Sequence, residues 1–132
     1  MEGCLSLGQN AIFVIEVKHN NGEILCDESN HQWSITKTGR GGSQYAKEMR
    51  NPVKQVKNQV WLLGEYLKTQ RAKPWIQPIV LFSHPAVSLC RSNDHSVPVL
   101  TASELLGYIE AFHPASPRPV QLATIQALAV LK

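Results

Sequence analysis

Two nearly continuous apolar runs dominate the hydrophobic pattern of the chain, at residues 11–18 and 76–83. Each has the length of a strand, and such runs are typical of strands buried on both faces. Asn21-Gly22 follows the first run and favours a type I′ turn, with residues 23–26 returning antiparallel. Shorter strands are predicted at residues 4–7, 32–37 and 96–100, whereas residues 38–43 are too rich in glycine to be regular.

Two helices are predicted from their N-terminal capping residues and from the spacing of apolar residues. Asn51 is a good N-cap and Pro52 suits the first helical position. Apolar residues then recur at steps of three and four to about Gln70, namely Val53, Val56, Val60, Leu63 and Leu67. A capping box at Thr101 and Glu104 starts a second helix that runs to about Phe112.

This order of elements predicts an α/β fold with a mixed central sheet. We expect an antiparallel meander followed by helix, strand, strand and helix, with the helices packed on the sheet. At 132 residues and 43% hydrophobic, the chain is long enough for one domain. We place that domain at residues 1–113, and a proline-rich linker with an apolar helix at residues 114–132.

The cysteine content and the lengths of the apolar runs indicate the cellular compartment of the protein. Cys4, Cys26 and Cys90 are odd in number and widely spaced, which favours a reducing compartment and indicates neither a disulfide framework nor a zinc site. No apolar run approaches the ~18 residues that a membrane span requires. We therefore expect a cytoplasmic protein that does not span a membrane.

The net charge of +3 is unevenly distributed, because residues 37–73 hold nine basic and two acidic residues. This segment is a candidate surface for nucleic-acid phosphates, with Arg50, Lys54 and Lys57 as the candidate contacts. A solvated loop and helix face explains the same charges at least as well.

The candidate chemistry lies at the end of the first apolar run. Glu16 and Lys18 are two residues apart on a strand, so they share a face at a spacing of roughly 6.6 Å. A carboxylate for a cation beside an amine for a developing anion suits metal-dependent phosphodiester cleavage. An ion pair at the solvent end of a strand is the more common meaning of the pattern. On the first helix, a stripe that flanks the buried face begins with Gln55 and Gln59 and continues through Leu62 and Tyr66. Gln55 could there hold a water or a phosphate oxygen near Glu16, although a hydrogen bond to a neighbouring backbone group is the more common role.

Together these motifs resemble the nuclease-related domain family, a branch of the PD-(D/E)xK nucleases with a restriction-endonuclease-like fold. The resemblance rests on IFVIEVKHNNGEI, NPVKQVKNQVWLL, IVLFSHP and VPVLTASELLGYI, and covers roughly residues 4–110. It implies cleavage of DNA with Mg²⁺ or Mn²⁺. Glu16 would be a metal ligand, the Val17 carbonyl a further metal contact, Lys18 the catalytic lysine and Gln55 the polar residue of the helix.

The chain departs from the family pattern in two ways. Members begin with a helix that is absent here, and they carry a metal-binding aspartate at the position where Gly3 stands. The chain thus resembles an N-terminally truncated member. One alternative is an inactive domain that binds nucleic acid or a protein partner, and another is a structural fragment. The apolar helix at residues 120–131 is expected to cover the sheet or to form a contact with a partner or a second copy.

Overall fold

The computed structural model describes residues 3–7, 11–92, 95–114 and 124–125, which form an α/β fold, as predicted. The strands are β1 (Gly3–Leu7), β2 (Ile12–Lys18), β3 (Gly22–Cys26), β4 (Gln32–Thr38), β5 (Gln44–Arg50), β6 (Ile76–Phe82), β7 (Val87–Arg91) and β8 (Val99–Thr101). The helices are α1 (Pro52–Thr69) and α2 (Ala102–Ala111), and a short 3-10 turn at Arg40–Gly42 joins β4 to β5.

The described strands divide between two four-stranded sheets. The first sheet has the order β1-β2-β6-β8, in which β1 is antiparallel to β2 and the other neighbours are parallel. The second has the order β5-β4-β3-β7, in which only β3 and β7 are parallel. Both sheets are therefore mixed, and the predicted single central sheet is replaced by two.

The predicted hairpin between residues 11–18 and 23–26 is wrong. Strand β2 pairs with β1 on one edge and with β6 on the other, so β3 finds no free edge and enters the second sheet. Gly22 has a φ of +95°, and a Cβ on it would lie 2.8 Å from the Thr36 carbonyl oxygen. Glycine is needed here because of its positive φ and because β4 passes too close for a side chain. The chain passes from the first sheet to the second at this point and does not form the tight turn that the sequence indicated.

Strand β2 separates two apolar clusters. Ile12 and Val14 pack with α1 and the second sheet, whereas Phe13 and Ile15 pack with residues of α2 on the opposite face. Because side chains alternate along a strand, Glu16 and Lys18 continue the row that faces α1. The buried double-sided strand that the apolar run predicted is thus confirmed, and its charged end points toward a helix.

Both predicted helix starts are confirmed. The Asn51 side chain is fully buried, and its Oδ1 accepts a hydrogen bond from the Val53 N–H at 2.9 Å. Its Nδ2 also donates to the carbonyl oxygens of Glu28 and Asn30, so the cap ties α1 to the β3–β4 connection. At α2, the capping box between Thr101 and Glu104 is present.

Two strands, β5 and β7, were not predicted from the sequence. β5 is exposed along its length except for the half-buried Met49, so it carries no alternating apolar pattern. β7 contributes Val87 and Leu89 to the core, but it is short and follows directly on the Pro85 loop. An edge strand is stabilised by its partner's backbone, and that contribution leaves little trace in the side-chain pattern.

An ion pair joins the second sheet to α2. Arg91 of β7 contacts Glu104 at 2.7 Å and also donates to the Val99 carbonyl oxygen. The hydrogen bond from Arg91, together with those from Thr101, lowers the pKa of Glu104 to about 2. The capping carboxylate of α2 is therefore shared between its own helix and the neighbouring sheet.

The C-terminal predictions mostly lie outside the described residues. Of the helix predicted at residues 120–131, only Thr124 and Ile125 are described; both are helical, and Thr124 is buried. The division at residues 113 and 114 stays a prediction. No helix within the described ranges is long and apolar enough to cross a membrane.

We predict that Asn51→Ala lowers the free energy of unfolding by about 2 kcal/mol, because it removes a helix cap and the hydrogen bonds that the side chain donates to the Glu28 and Asn30 carbonyl groups. Urea unfolding followed by circular dichroism measures the change. Asn58→Ala, at an exposed position of the same helix, is the control and should stay within about 0.5 kcal/mol of the wild type. Equal stability of the two variants would contradict this role for Asn51.

Candidate active site at the end of strand β2

Glu16 and Lys18 form a largely buried ion pair. Lys18 Nζ lies 3.3 Å from Glu16 Oε1, and Glu16 is only 3% exposed. The Lys18 side chain is 21% exposed, so the pair lies at the edge of the buried region. The structure thus brings together the two residues that the sequence analysis placed on one face of the strand.

The second oxygen of the carboxylate is held from α1. Gln59 Nε2 donates a hydrogen bond of 2.8 Å to Glu16 Oε2. Each oxygen of Glu16 therefore has one partner, which is what a carboxylate in a dry position requires. Helical periodicity placed Gln59 on the same stripe as Gln55, but no role for Gln59 was predicted from the sequence.

Gln55 lies one helical turn before Gln59, on the same stripe. Its Oε1 atom is buried and accepts no hydrogen bond from the part of the chain that the structure describes. A buried amide oxygen without a hydrogen-bond donor lowers the stability of the fold. Such an atom is commonly found to bind a cation or an ordered water. Gln55 does not hold Glu16 itself but adds a free oxygen one turn away from the residue that does.

The backbone near Glu16 adds a further oxygen. The Lys18 carbonyl accepts from the Ser83 N–H at 2.9 Å, so it points toward β6. Carbonyl groups alternate in direction along a strand, and the Val17 carbonyl therefore points to the β1 edge. Residue 2, which would come next on β1, lies outside the described residues.

Gly3 is the direct cross-strand partner of Glu16. Side chains of such partners share a face of the sheet, so position 3 is where a second carboxylate would meet Glu16. This register agrees with the position that the family resemblance implied for the aspartate. Glycine supplies no ligand there.

The oxygen donors at this end of β2 suit a hard divalent cation. The carboxylate of Glu16, the amide oxygen of Gln55 and the carbonyl of Val17 are ligand types that Mg²⁺ and Mn²⁺ accept, with water completing the shell. In the described ranges, no group of three or more His, Cys, Asp or Glu side chains could hold a metal ion. The donor chemistry fits, but among the described residues Glu16 is the one carboxylate at the site, and its charge is shared with Lys18.

The basic residues chosen from the sequence occupy a different surface. Arg50, Lys54 and Lys57 are exposed around the start of α1, and the two lysines lie on the flank away from Gln55 and Gln59. The structure therefore does not bring these residues to the Glu16 pair.

Each of the two lysines has a polar group of the protein nearby. Lys54 Nζ lies 3.0 Å from His31 Nδ1. Burial alone would raise the pKa of Glu28, but hydrogen bonds from Ser96 and Val97 and the charge of Lys57 hold that pKa below its usual value. A charged carboxylate from the β3–β4 connection therefore lies near Lys57.

The geometry defines an α/β domain whose central strand ends in a buried acid–lysine pair facing a polar helix stripe. A family model described as the nuclease-related domain matches residues 4–83, which is more than half of the chain. The protein belongs to the nuclease-related domain family. No curated protein and no solved structure shows significant similarity to the chain.

Proposed function

We propose that the protein hydrolyses phosphodiester bonds in DNA with the help of a divalent metal ion. The buried contact between Glu16 and Lys18, at the open end of a central strand, is the observation that carries this proposal. Membership of the nuclease-related domain family supports a nuclease-related function and an interaction with nucleic acid. The contacts around Glu16 support the choice of residues proposed to act.

Glu16, the Gln55 amide oxygen and the Val17 carbonyl would hold the cation, which we take to be Mg²⁺ or Mn²⁺. When bound, such an ion activates water and offsets the charge of a phosphate under attack. Lys18 would orient the attacking water and stabilise negative charge that develops on the phosphate oxygens. Gln59 is a positioning residue, because it fixes the orientation of the Glu16 carboxylate.

Two further parts of the proposal concern the partner and the location. Arg50, Lys54 and Lys57 would contact the DNA backbone as exposed point charges. A cytoplasmic location is supported by the free thiols of Cys26, which is buried, and Cys90, which is exposed. Residues 120–131 are proposed to contact the sheet, a partner or a second copy of the chain.

Gly3 supports a second candidate function. With glycine opposite Glu16, the described residues supply no second carboxylate at this position, where one would strengthen cation binding. The alternative is therefore a domain of the same family that binds nucleic acid, or a protein partner, without cleaving DNA. The two candidates differ in turnover and share the fold.

We predict that Glu16→Gln and Lys18→Met each lower the rate of plasmid cleavage by at least about 100-fold, because one removes the charged ligand and the other the amine beside the reacting phosphate. The rate is measured as nicking of supercoiled plasmid in Mg²⁺ or Mn²⁺, with EDTA as the blank. Glu23→Gln, at an exposed position of β3, is the control and should cleave like the wild type.

Gly3→Asp separates the two candidates in the same assay. It introduces a carboxylate opposite Glu16, so it should raise the cleavage rate and lower the metal concentration needed. Suppose that Gly3→Asp cleaves DNA, the wild type does not, and the double variant Gly3→Asp/Glu16→Gln loses the activity again. This result would establish the non-cleaving candidate for the natural sequence. Absence of metal-dependent cleavage in both proteins would refute the hydrolytic proposal.

We predict that replacing Arg50, Lys54 and Lys57 together by Gln weakens duplex DNA binding and lowers the slope of log K against log salt by about 2.7, since each lost phosphate contact removes about 0.9. Fluorescence anisotropy in EDTA measures both quantities without cleavage. An unchanged slope would show that this surface does not contact the backbone.

A further inference from the structure

The β4–β5 hairpin extends beyond the core. Its outer part, residues 37–47, is named the basic arm here; it contains Lys37, Arg40 and Lys47 and no acidic residue. Every residue from 40 to 47 is exposed. A stretch with only positive charge attracts anions, so an anionic partner fits this surface.

One face of the hairpin changes character along its length. Near the core, the pair Trp33 and Met49 packs inside, and Ile35 is buried beside them. Cross-strand partners share a face, so Lys47, opposite Ile35, and the pair Lys37 and Tyr45 continue this same face outward. The surface that is apolar inside the domain thus becomes basic and aromatic where the hairpin leaves it.

The aromatic ring on this face is accessible. Tyr45 is 46% exposed, and Lys47 Nζ lies 5.9 Å from the centroid of its ring. Glu48 lies on the other face of the hairpin, opposite Ser34. The basic arm therefore presents cations beside a flat π surface, and its acidic neighbour points away from them.

The base of the arm lies close to the candidate active site. A Cβ placed on Gly22 would lie 3.1 Å from Lys37 Cγ, so the arm begins where the chain leaves β2 for β3. Gly22 follows Lys18 by four residues, which span at most about 14 Å. A strand of nucleic acid several nucleotides long could touch both places.

We infer that the basic arm binds single-stranded DNA and leads it to the Glu16 site. Lys37, Arg40 and Lys47 contact successive phosphates, and Tyr45 stacks on an unpaired base, the combination that grips single strands without regard to sequence. The inference rests on the proposed function for its choice of DNA. It adds a surface distinct from Arg50, Lys54 and Lys57.

The first test compares two double variants of the full chain with the same charge change. Arg40→Gln/Lys47→Gln alters the arm, and Lys68→Gln/Arg71→Gln alters exposed positions in the last turn of α1 and just after the helix. Binding of a short fluorescein-labelled single-stranded DNA is followed by anisotropy in EDTA over a range of salt. The arm variant should bind about tenfold more weakly than the matched control, with a salt slope lower by about 1.4 for two lost phosphate contacts.

The second test isolates stacking. Tyr45→Ala should weaken binding of the single strand by about tenfold, Tyr45→Phe should retain it, and neither should change the binding of a blunt duplex. Circular dichroism of each variant checks that the fold is kept.

The outcomes separate this inference from the proposal on which it rests. An arm variant that binds like its matched control, or equal binding by Tyr45→Ala and Tyr45→Phe, would overturn the basic arm and leave the cleavage proposal standing. A wild-type protein that binds neither DNA would overturn both.

Discussion

The structure depends on one constraint, which is that the carboxylate of Glu16 is buried and must be paired. Its two oxygens are held by Lys18 from the same strand and by Gln59 from α1. A hydrogen bond to a charged group contributes about 1.5–3 kcal/mol, so the bond from Gln59 helps to hold α1 in position against β2. That position also turns the Gln55 oxygen into the interior, where it has no donor among the described groups. The polar end of β2 thus places a buried carboxylate and a buried amide oxygen where packing alone would favour apolar side chains.

Other parts of the fold support this arrangement. α1 presents an apolar row to the core and an amide row to Glu16, and the buried Asn51 cap fixes where the helix begins. Pairing of β2 with β1 and β6 leaves its end open only toward α1 and solvent. The match to the nuclease-related domain family, at residues 4–83, includes β2, α1 and β6.

Much of this could be predicted from the sequence, because strand and helix periodicities and capping residues act locally. The facing of Glu16 and Lys18 follows from the period of two, and the start of α1 follows from Asn51 and Pro52. The pairing of β3 could not be predicted, since it depended on β6, a strand distant in sequence, occupying the edge of β2. The choice between Gln55 and Gln59 was also beyond the sequence. Both lie on one stripe, and only the position of the helix along its own axis decides which amide reaches Glu16.

The most direct test of the central claim is the location of Mn²⁺ on the protein in solution. Paramagnetic broadening of backbone amide signals by added Mn²⁺ reports which residues lie near the ion. The account predicts broadening centred on residues 16–18 and on the helix segment 55–59, lost in Glu16→Gln and kept in Glu23→Gln. Broadening centred elsewhere, or unchanged by the loss of the Glu16 charge, would contradict the assignment of this buried carboxylate as a metal ligand.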